Sequence, residues 1–252
     1  ARFTGSDSSL GTFTGGTGIF GFEQGIILSS GQAADVVGPN TSDNMTTNYS
    51  RPGDADLDSL LTGFETTNDA CVLEFDFECS AVREIGFEYV FSSEEYNEFV
   101  NQSFNDVFGF FVNGKNVALL PDGKTIVSIN NVNGGNPLGD SASNPQYYIN
   151  NDECQFSTVP SCPVNTEMDG LTVVLIAEAK INPGLNHIKL AVADVADDAY
   201  DSNVFLKGQS FVCGAVNNSA PVCQVVPPGP FTVVAGTNVS FSITGTDADT
   251  GQ

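Results

Sequence analysis

Residues 91–114 read FSSEEYNEFVNQSFNDVFGFFVNG. An apolar run closes at Phe91, and another, VFGFFV (107–112), opens after Asp106. Between them lies a loop carrying Glu94, Glu95, Glu98, Asn105 and Asp106. Two Phe-rich strands joined by a knot of carboxylates predict a β-fold with a charged end. Carboxylates held close together repel, and a hard cation with oxygen ligands is the simplest group that offsets the repulsion. Asp106 begins a predicted central strand and so has a fixed position, while Glu94 and Glu95 end the strand before it. The competing reading is that Asn105 and Asp106 cap a tight turn while the glutamates face water.

Working outward, the pattern alternates and is hardly helical. In CVLEFDFE, Cys71, Leu73, Phe75 and Phe77 share one face, and Glu74, Asp76 and Glu78 the other. In REIGFEYVF, Ile85, Phe87, Tyr89 and Phe91 point inward, with Glu84 and Glu88 outward. Period two marks half-buried antiparallel strands. VFGFFV is apolar on both faces and predicts a central strand. LTVVLIAEA (171–179) and HIKLAVA (187–193) flank NPGLN (182–186) and predict a hairpin, and NVFLKGQSFVC (203–213) a last strand. SSEEYNEFV (92–100) is the helix-like exception, a short turn capped by Ser92 or Ser93. Gly, Asn, Asp and Pro fill the connections. The expected fold is all-β, an antiparallel β-sandwich or jelly-roll-like domain with long loops. The meander at 130–168 is too long for a passive connection and is read as a functional loop or one pinned by a disulfide.

SEEY followed by FNDVFGFF resembles the signature of the choice-of-anchor L domain, a module of secreted and surface-displayed bacterial proteins. Further matching pieces follow in order: GIILSSG (25–31), GPN (38–40), GDADLDSL (53–60), DACVLEFDF (69–77), YYINND (147–152), DGLTVVLIA (169–177) and HIKLAVADVADDAYDSNVFL (187–206). The resemblance spans roughly residues 10–212. It implies an extracellular location and no particular biochemistry, since the family name describes attachment.

Organisation follows from composition. Residues 1–216 are expected to form the choice-of-anchor L-like domain and 217–230, NNSAPVCQVVPPGP, a semi-rigid Pro-rich linker. Residues 231–252 resemble the first hairpin of an Ig-like or cadherin-like module, truncated and incomplete. The opening ARFTGSDSSLGTF shows no secretory leader and reads as a mature or trimmed fragment. No apolar run approaches the twenty residues of a transmembrane helix.

The chain carries 8 Lys and Arg against 31 Asp and Glu, a formal charge of −23. Such a charge repels nucleic acid and anionic lipid. It reads as cation binding or as a solubilising acidic surface, and the clustering of acids in a few loops favours cations there. GDADLDSLLTGFE places Asp54, Asp56 and Asp58 at alternate positions, with Glu65 twelfth from Asp54, the ligand order of an EF-hand. Ser59 occupies the sharp-turn glycine position and no helix precedes, so an EF-hand is rejected; a DxDxD calcium loop or a solvated turn, with Leu57, Leu60 and Leu61 packed inward, remains. ADVADDAYDSN supplies Asp194, Asp197, Asp198 and Asp201 in a loop expected to meet the SEEY loop at one end of a sandwich. The expected calcium ligands are Glu94, Glu95, Asn105, Asp106, Asp198 and Asp201, with Asp54 and Asp56 in the second loop. Asp247 and Asp249 resemble a cadherin-type DxD.

Six cysteines with one His and no CxxC argue against zinc and for disulfides in an oxidising compartment. Cys154 and Cys162 bracket a short loop and are the first expected pair, contributing roughly 2.5 kcal/mol in the chain-entropy model. Cys71 and Cys79 sit at opposite ends of one predicted strand, about 26 Å apart at ~3.3 Å per residue, and should not pair. Cys213–Cys223 is plausible across the boundary, with other pairings of the four open. Sequons at Asn40, Asn44, Asn48, Asn101, Asn217 and Asn238 read as products of Asn-rich loops.

Catalysis finds little support. His187 shares an outward face with Lys189, and there is no GxSxG or Cys/His pair. Carboxylate pairs could serve glycoside hydrolysis, but the chain has no Trp to platform a sugar. The expectation is a secreted or cell-surface, calcium-stabilised, non-enzymatic adhesion or structural module. Its partners would be other surface proteins or extracellular glycans, not nucleic acid. The alternatives are a carbohydrate-binding module and a filament or sheath subunit that forms a homo-polymer by β-strand exchange.

Overall fold

The computed structural model describes residues 1–80, 83–152 and 162–210, together with two further strands near the C-terminus. The chain divides into two compact units, residues 1–214 and 215–252. The strands of the first unit are β1 (Arg2–Thr4), β2 (Leu10–Thr14), β3 (Gln24–Ser29), β4 (Thr67–Cys79), β5 (Arg83–Ser93), β6 (Val107–Val112), β7 (Lys115–Asn116), β8 (Val127–Ser128), β9 (Tyr148–Asn150), β10 (Gly170–Thr172), β11 (Leu175–Ile181), β12 (Gly184–Val195) and β13 (Ser202–Lys207). They form two antiparallel sheets. The first has the order β1-β4-β12-β6-β7, with β8 also on β6; the second has the order β2-β3-β13-β5-β10-β9, with β11 also on β5.

The alternation read from the sequence sets which side chains meet between the sheets. Cys71, Leu73, Phe75 and Phe77 of β4 face Ile85, Phe87, Tyr89 and Phe91 of β5 in one core with Phe108, Phe110 and Val112 of β6. Phe87 meets Phe110 edge-on at 4.7 Å between ring centroids, and Tyr89 meets Phe108 at 5.0 Å. Each buried aromatic contributes roughly 1.5–3 kcal/mol. β6 is buried on both faces, as its continuous apolar run predicts: Val107 and Phe111 pack on the other side against Leu57, Ala191 and Val195. Two single helical turns complete the unit, α1 (Thr17–Phe20) and α2 (Ala55–Asp58); Leu57 belongs to α2, which with Leu60 and Leu61 closes the outer face of the first sheet. The outer face of the second sheet is closed by Phe20 and Phe22, with Phe20 stacked on Phe205 at 3.8 Å.

Two expectations change. LTVVLIAEA and HIKLAVA do not form a hairpin: β11 pairs with β5 in the second sheet, whereas β12 pairs with β4 and β6 in the first. The turn at 182–183 therefore crosses between the sheets, because alternation tells which face is buried but not which sheet a strand joins. SSEEYNEFV forms the expected capped turn: residues 94–100 are successive turns, with the Glu95 N–H donating to Ser93 Oγ at 2.9 Å and the Phe99 N–H to the Glu95 carbonyl at 3.2 Å. Val222–Val226, inside the stretch read as a linker, form β14, which pairs with β15 (Ser242–Thr246). The three valines there supply the β-branched side chains that favour a strand.

Cys71 is a free, buried thiol, so it does not pair with Cys79. Cys79 and Cys162 are not free. Cys154 and Cys213 lie outside the described residues, and the expected Cys154–Cys162 and Cys213–Cys223 bonds with them. Asp247 and Asp249 lie outside them too.

Candidate metal centre

The acidic end is built by strand register. In the second sheet Ser93 of β5 pairs on one side with Gly170 of β10 and on the other with Ser202 of β13. One step beyond this row stand Glu94, Asp169 and Asp201, each at most 1 % exposed. The Glu94 N–H donates to the Asp201 carbonyl at 3.2 Å and carries the ladder one residue further. In the first sheet Val107 pairs with Ala193, so the next step sets Asp106 against Asp194, both buried. The loop after β12 and the loop after β5 thus meet at one end of the sandwich.

Consecutive residues on a strand point to opposite sides. Glu95 belongs with the inner group: its nearest like charges are Asp106, Asp197 and Glu98. Asp106 accepts the Val195 N–H at 2.8 Å and the Ser202 hydroxyl at 2.7 Å. Neither carboxylate oxygen of Glu95 or of Asp194 has a hydrogen-bond partner at close geometry, although the Ser30 hydroxyl and the Asp106 carboxyl both lie near enough to Asp194 to act on it. Burial, then the Asp106 charge, pushes the carboxyl groups of Glu95 and Asp194 up. Burial raises Asp106 as well, against the pull of its bonds from Ser202 and Val195. Among the described residues the ion pairs of Arg2, Lys180, Lys189, Lys207 and His187 fall on Glu74, Glu84, Asp54, Asp56, Glu88 and Asp76, and none falls on this end.

Glu94 belongs with the outer group. Burial and then Asp169 raise its carboxyl, opposed by the bond from Met45 N–H at 2.9 Å. That donor lies on residues 40–51, a strap without regular structure across the end of the second sheet. An extended segment must place its N–H groups somewhere. This one places them on acids: Thr41 on Glu167, Met45 on Glu94, Thr47 on Asp201, and Tyr49, Ser50 and Arg51 on Asp69. Asp201 fits beneath the strap because residue 31 is glycine; a Cβ there would stand 1.7 Å from Asp201 Oδ2. Burial lifts the Asp201 carboxyl to about 7.

The family model of the choice-of-anchor L domain matches residues 1–212. The chain belongs to the choice-of-anchor L domain family. That membership makes it a surface or extracellular module. No curated protein matches it. Among solved structures it is similar to a family 35 carbohydrate binding module from an environmental isolate, at 11% identity over 73% of this chain and 95% of that one, with a TM-score of 0.26. Among the described residues of this choice-of-anchor L domain no helix is long and apolar enough to cross a membrane.

Of the residues singled out in the sequence, Glu94, Glu95, Asp106 and Asp201 converge here. Asn105 is occupied in a turn, its Oδ1 accepting the Asn130 N–H at 2.8 Å. Asp198 accepts a long bond from the Ser50 hydroxyl at 3.4 Å. Asp54 and Asp56 have a different partner: Asp54 caps α2 through the Asp56 and Leu57 N–H groups, and both acids hold Lys189 Nζ, at 2.7 and 2.6 Å. The cap and the ammonium occupy the oxygens that a DxDxD loop would offer a cation. Asn40, Asp69, Glu167, Asp169, Asp194 and Asn203 also stand at this end and are not among the ligands expected from the sequence. All but Glu167 lie in motifs that carry the family resemblance, GPN, DACVLEFDF, DGLTVVLIA and HIKLAVADVADDAYDSNVFL, which is where a signal existed. Among the described residues no group of three or more His, Cys, Asp or Glu side chains is placed so that it could hold a metal ion as it stands; what marks this end is its buried carboxylate and carboxamide oxygens without partners.

Proposed function

We propose that this choice-of-anchor L domain is a non-enzymatic extracellular module for adhesion or surface structure, with calcium binding at its acidic end. One observation carries the reading: Asp106, Asp194 and Glu95 are buried together, and four of their six oxygens lack a partner. Like charges facing each other across a ladder destabilise it, and unpaired buried carboxylates cost far more than exposed ones. A donor set of oxygens alone suits calcium better than zinc or another softer metal. Calcium there would neutralise the repulsion, lock the loops after β5 and β12 together, and hold rigid the surface that meets a protein or glycan partner.

The groups that would carry catalysis are otherwise engaged. His187 lies on the surface against Asp76 and Glu74. Cys71 is buried, with burial pushing its thiol up to about 12, so it is a poor nucleophile.

Calorimetric unfolding in millimolar calcium and in excess chelator, with magnesium as control, tests the proposal. Saturation at about 100 times the dissociation constant adds roughly 2.7 kcal/mol per site. For a domain of this size that corresponds to a rise of about 5–11 °C. Equal melting in calcium and chelator would remove the calcium reading.

A further inference from the structure

We propose that the outer side of the acidic end is a second divalent-cation site, separate from the inner cluster, formed by Glu94, Asp169, Asn40 and Asn203. The inference extends the calcium reading to different side chains and does not use the inner carboxylates.

Four oxygens carry it. Glu94 Oε1, Asp169 Oδ2, Asn40 Oδ1 and Asn203 Oδ1 all lack hydrogen-bond partners, and the four residues are at most 4 % exposed. In each group the other polar atom is engaged, so it is the oxygen that is left free. Glu94 Oε2 accepts the Met45 N–H at 2.9 Å. Asp169 Oδ1 accepts Asn40 Nδ2 at 2.6 Å, and the same Nδ2 donates to the Asn151 carbonyl at 3.1 Å. Asn203 Nδ2 lies 2.9 Å from Met168 Sδ. Register brings the four together. Glu94 and Asp169 stand one step beyond the Ser93–Gly170 pair, Asn203 pairs with Ser92 on the neighbouring strand, and Asn40 hangs over Asp169 from the start of the strap.

The composition of the set points to a cation rather than a proton. A proton shared by Glu94 and Asp169 would leave both carboxamide oxygens without a donor. A divalent ion accepts carboxylate and carboxamide oxygens alike, and two carboxylates balance its charge. Its effect would be mechanical: Asn40 and, through Met45, Glu94 belong to the contacts of the strap, so the ion would clip residues 40–51 to the second sheet.

The test is the number of calcium ions bound per chain, by isothermal titration with elemental analysis, on folded protein checked by circular dichroism. Two ions are expected for the wild type, one for Asp169→Asn and one for Asp194→Asn. Asn203→Ala, which alters no charge, should weaken one of the two sites at least tenfold. If Asp169→Asn does not fold, hydrogen exchange on the wild type and Asn203→Ala replaces it. Calcium should slow the Met45 and Thr47 amides of the wild type, and less so those of the variant. A single wild-type ion lost in Asp194→Asn but kept in Asn203→Ala would overturn the second site and leave the inner one standing. No bound ion at all would overturn both.

Discussion

Asp106 and Asp194 face each other where β6 and β12 run out, and a side chain that removes one of the two charges should reveal what offsets them. Asp194→Asn keeps the shape and deletes the charge. In chelator the variant is expected to melt a few degrees above the wild type, because the ion-free repulsion is relieved. In calcium it should lose the inner site's share of the calcium-dependent rise, about half of it if both sites bind equally. Scanning calorimetry of both proteins in both buffers reads the crossover, and a variant that is less stable in both would mean that Asp194 is paired in some other way. Gly31 is the second informative position. The Asp201 carboxylate packs against its backbone at distances no Cβ tolerates, so Gly31→Ala must displace Asp201 and with it the Thr47 bond. A loss of about 2.5–6 kcal/mol is expected in urea unfolding, the sum of overpacking and a broken charge-assisted bond.

At the scale of elements, two short segments behave as straps over sheet ends. Residues 40–51 form no ladder until Arg51 meets β4, where its carbonyl accepts the Asp69 N–H at 3.1 Å, and acids take the place of a strand by accepting their N–H groups. Thr47→Pro removes one such donor, which should cost about 1.5–3 kcal/mol in equilibrium unfolding, the range for a hydrogen bond to a charged group. α2 is held from the other side. Lys189, only 11 % exposed at its side chain, reaches from β12 to the cap residue Asp54 and to Asp56. Burial alone would lower the Lys189 ammonium, but the bonds to Asp54 and Asp56 outweigh it and the net direction is up. Lys189→Met leaves both acids without their cation; because Asp56 is well exposed, a loss of about 1–3 kcal/mol is expected, below the full range for a buried pair. An unchanged denaturation midpoint would show that α2 is held by Leu57 alone.

For the whole molecule the acidic end sets an unusual pH dependence. Asp106, Asp169, Asp194, Asp201, Glu94 and Glu95 all have carboxyl groups raised in the fold, chiefly by burial. Unfolded carboxyls titrate near about 4. Groups raised on folding bind protons more tightly in the native state, so their stabilising effect is complete below about 4 and is lost as pH rises through the folded values, near 7 for Asp201. The ion-free protein should therefore melt lower at pH 8 than at pH 5, and the rise produced by calcium should be larger at pH 8, where no proton competes for the oxygens. Melting curves at the two pH values, with and without chelator, check both statements. The sequence by itself determined the all-β class, the inward and outward faces of β4 and β5, and the burial of β6 on both faces, because alternation is a property of the backbone that any half-buried strand must obey and a continuous apolar run departs from it. It also marked Glu94, Glu95, Asp106 and Asp201 as a group. Only the tertiary structure decided that β11 and β12 belong to different sheets, that Lys189 claims Asp54 and Asp56, and that Glu94 and Glu95 look to opposite sides with Asp169, Asn40 and Asn203 on one of them. Those partners are set by register between strands far apart in the chain, and local periodicity carries no record of which strand lies next to which.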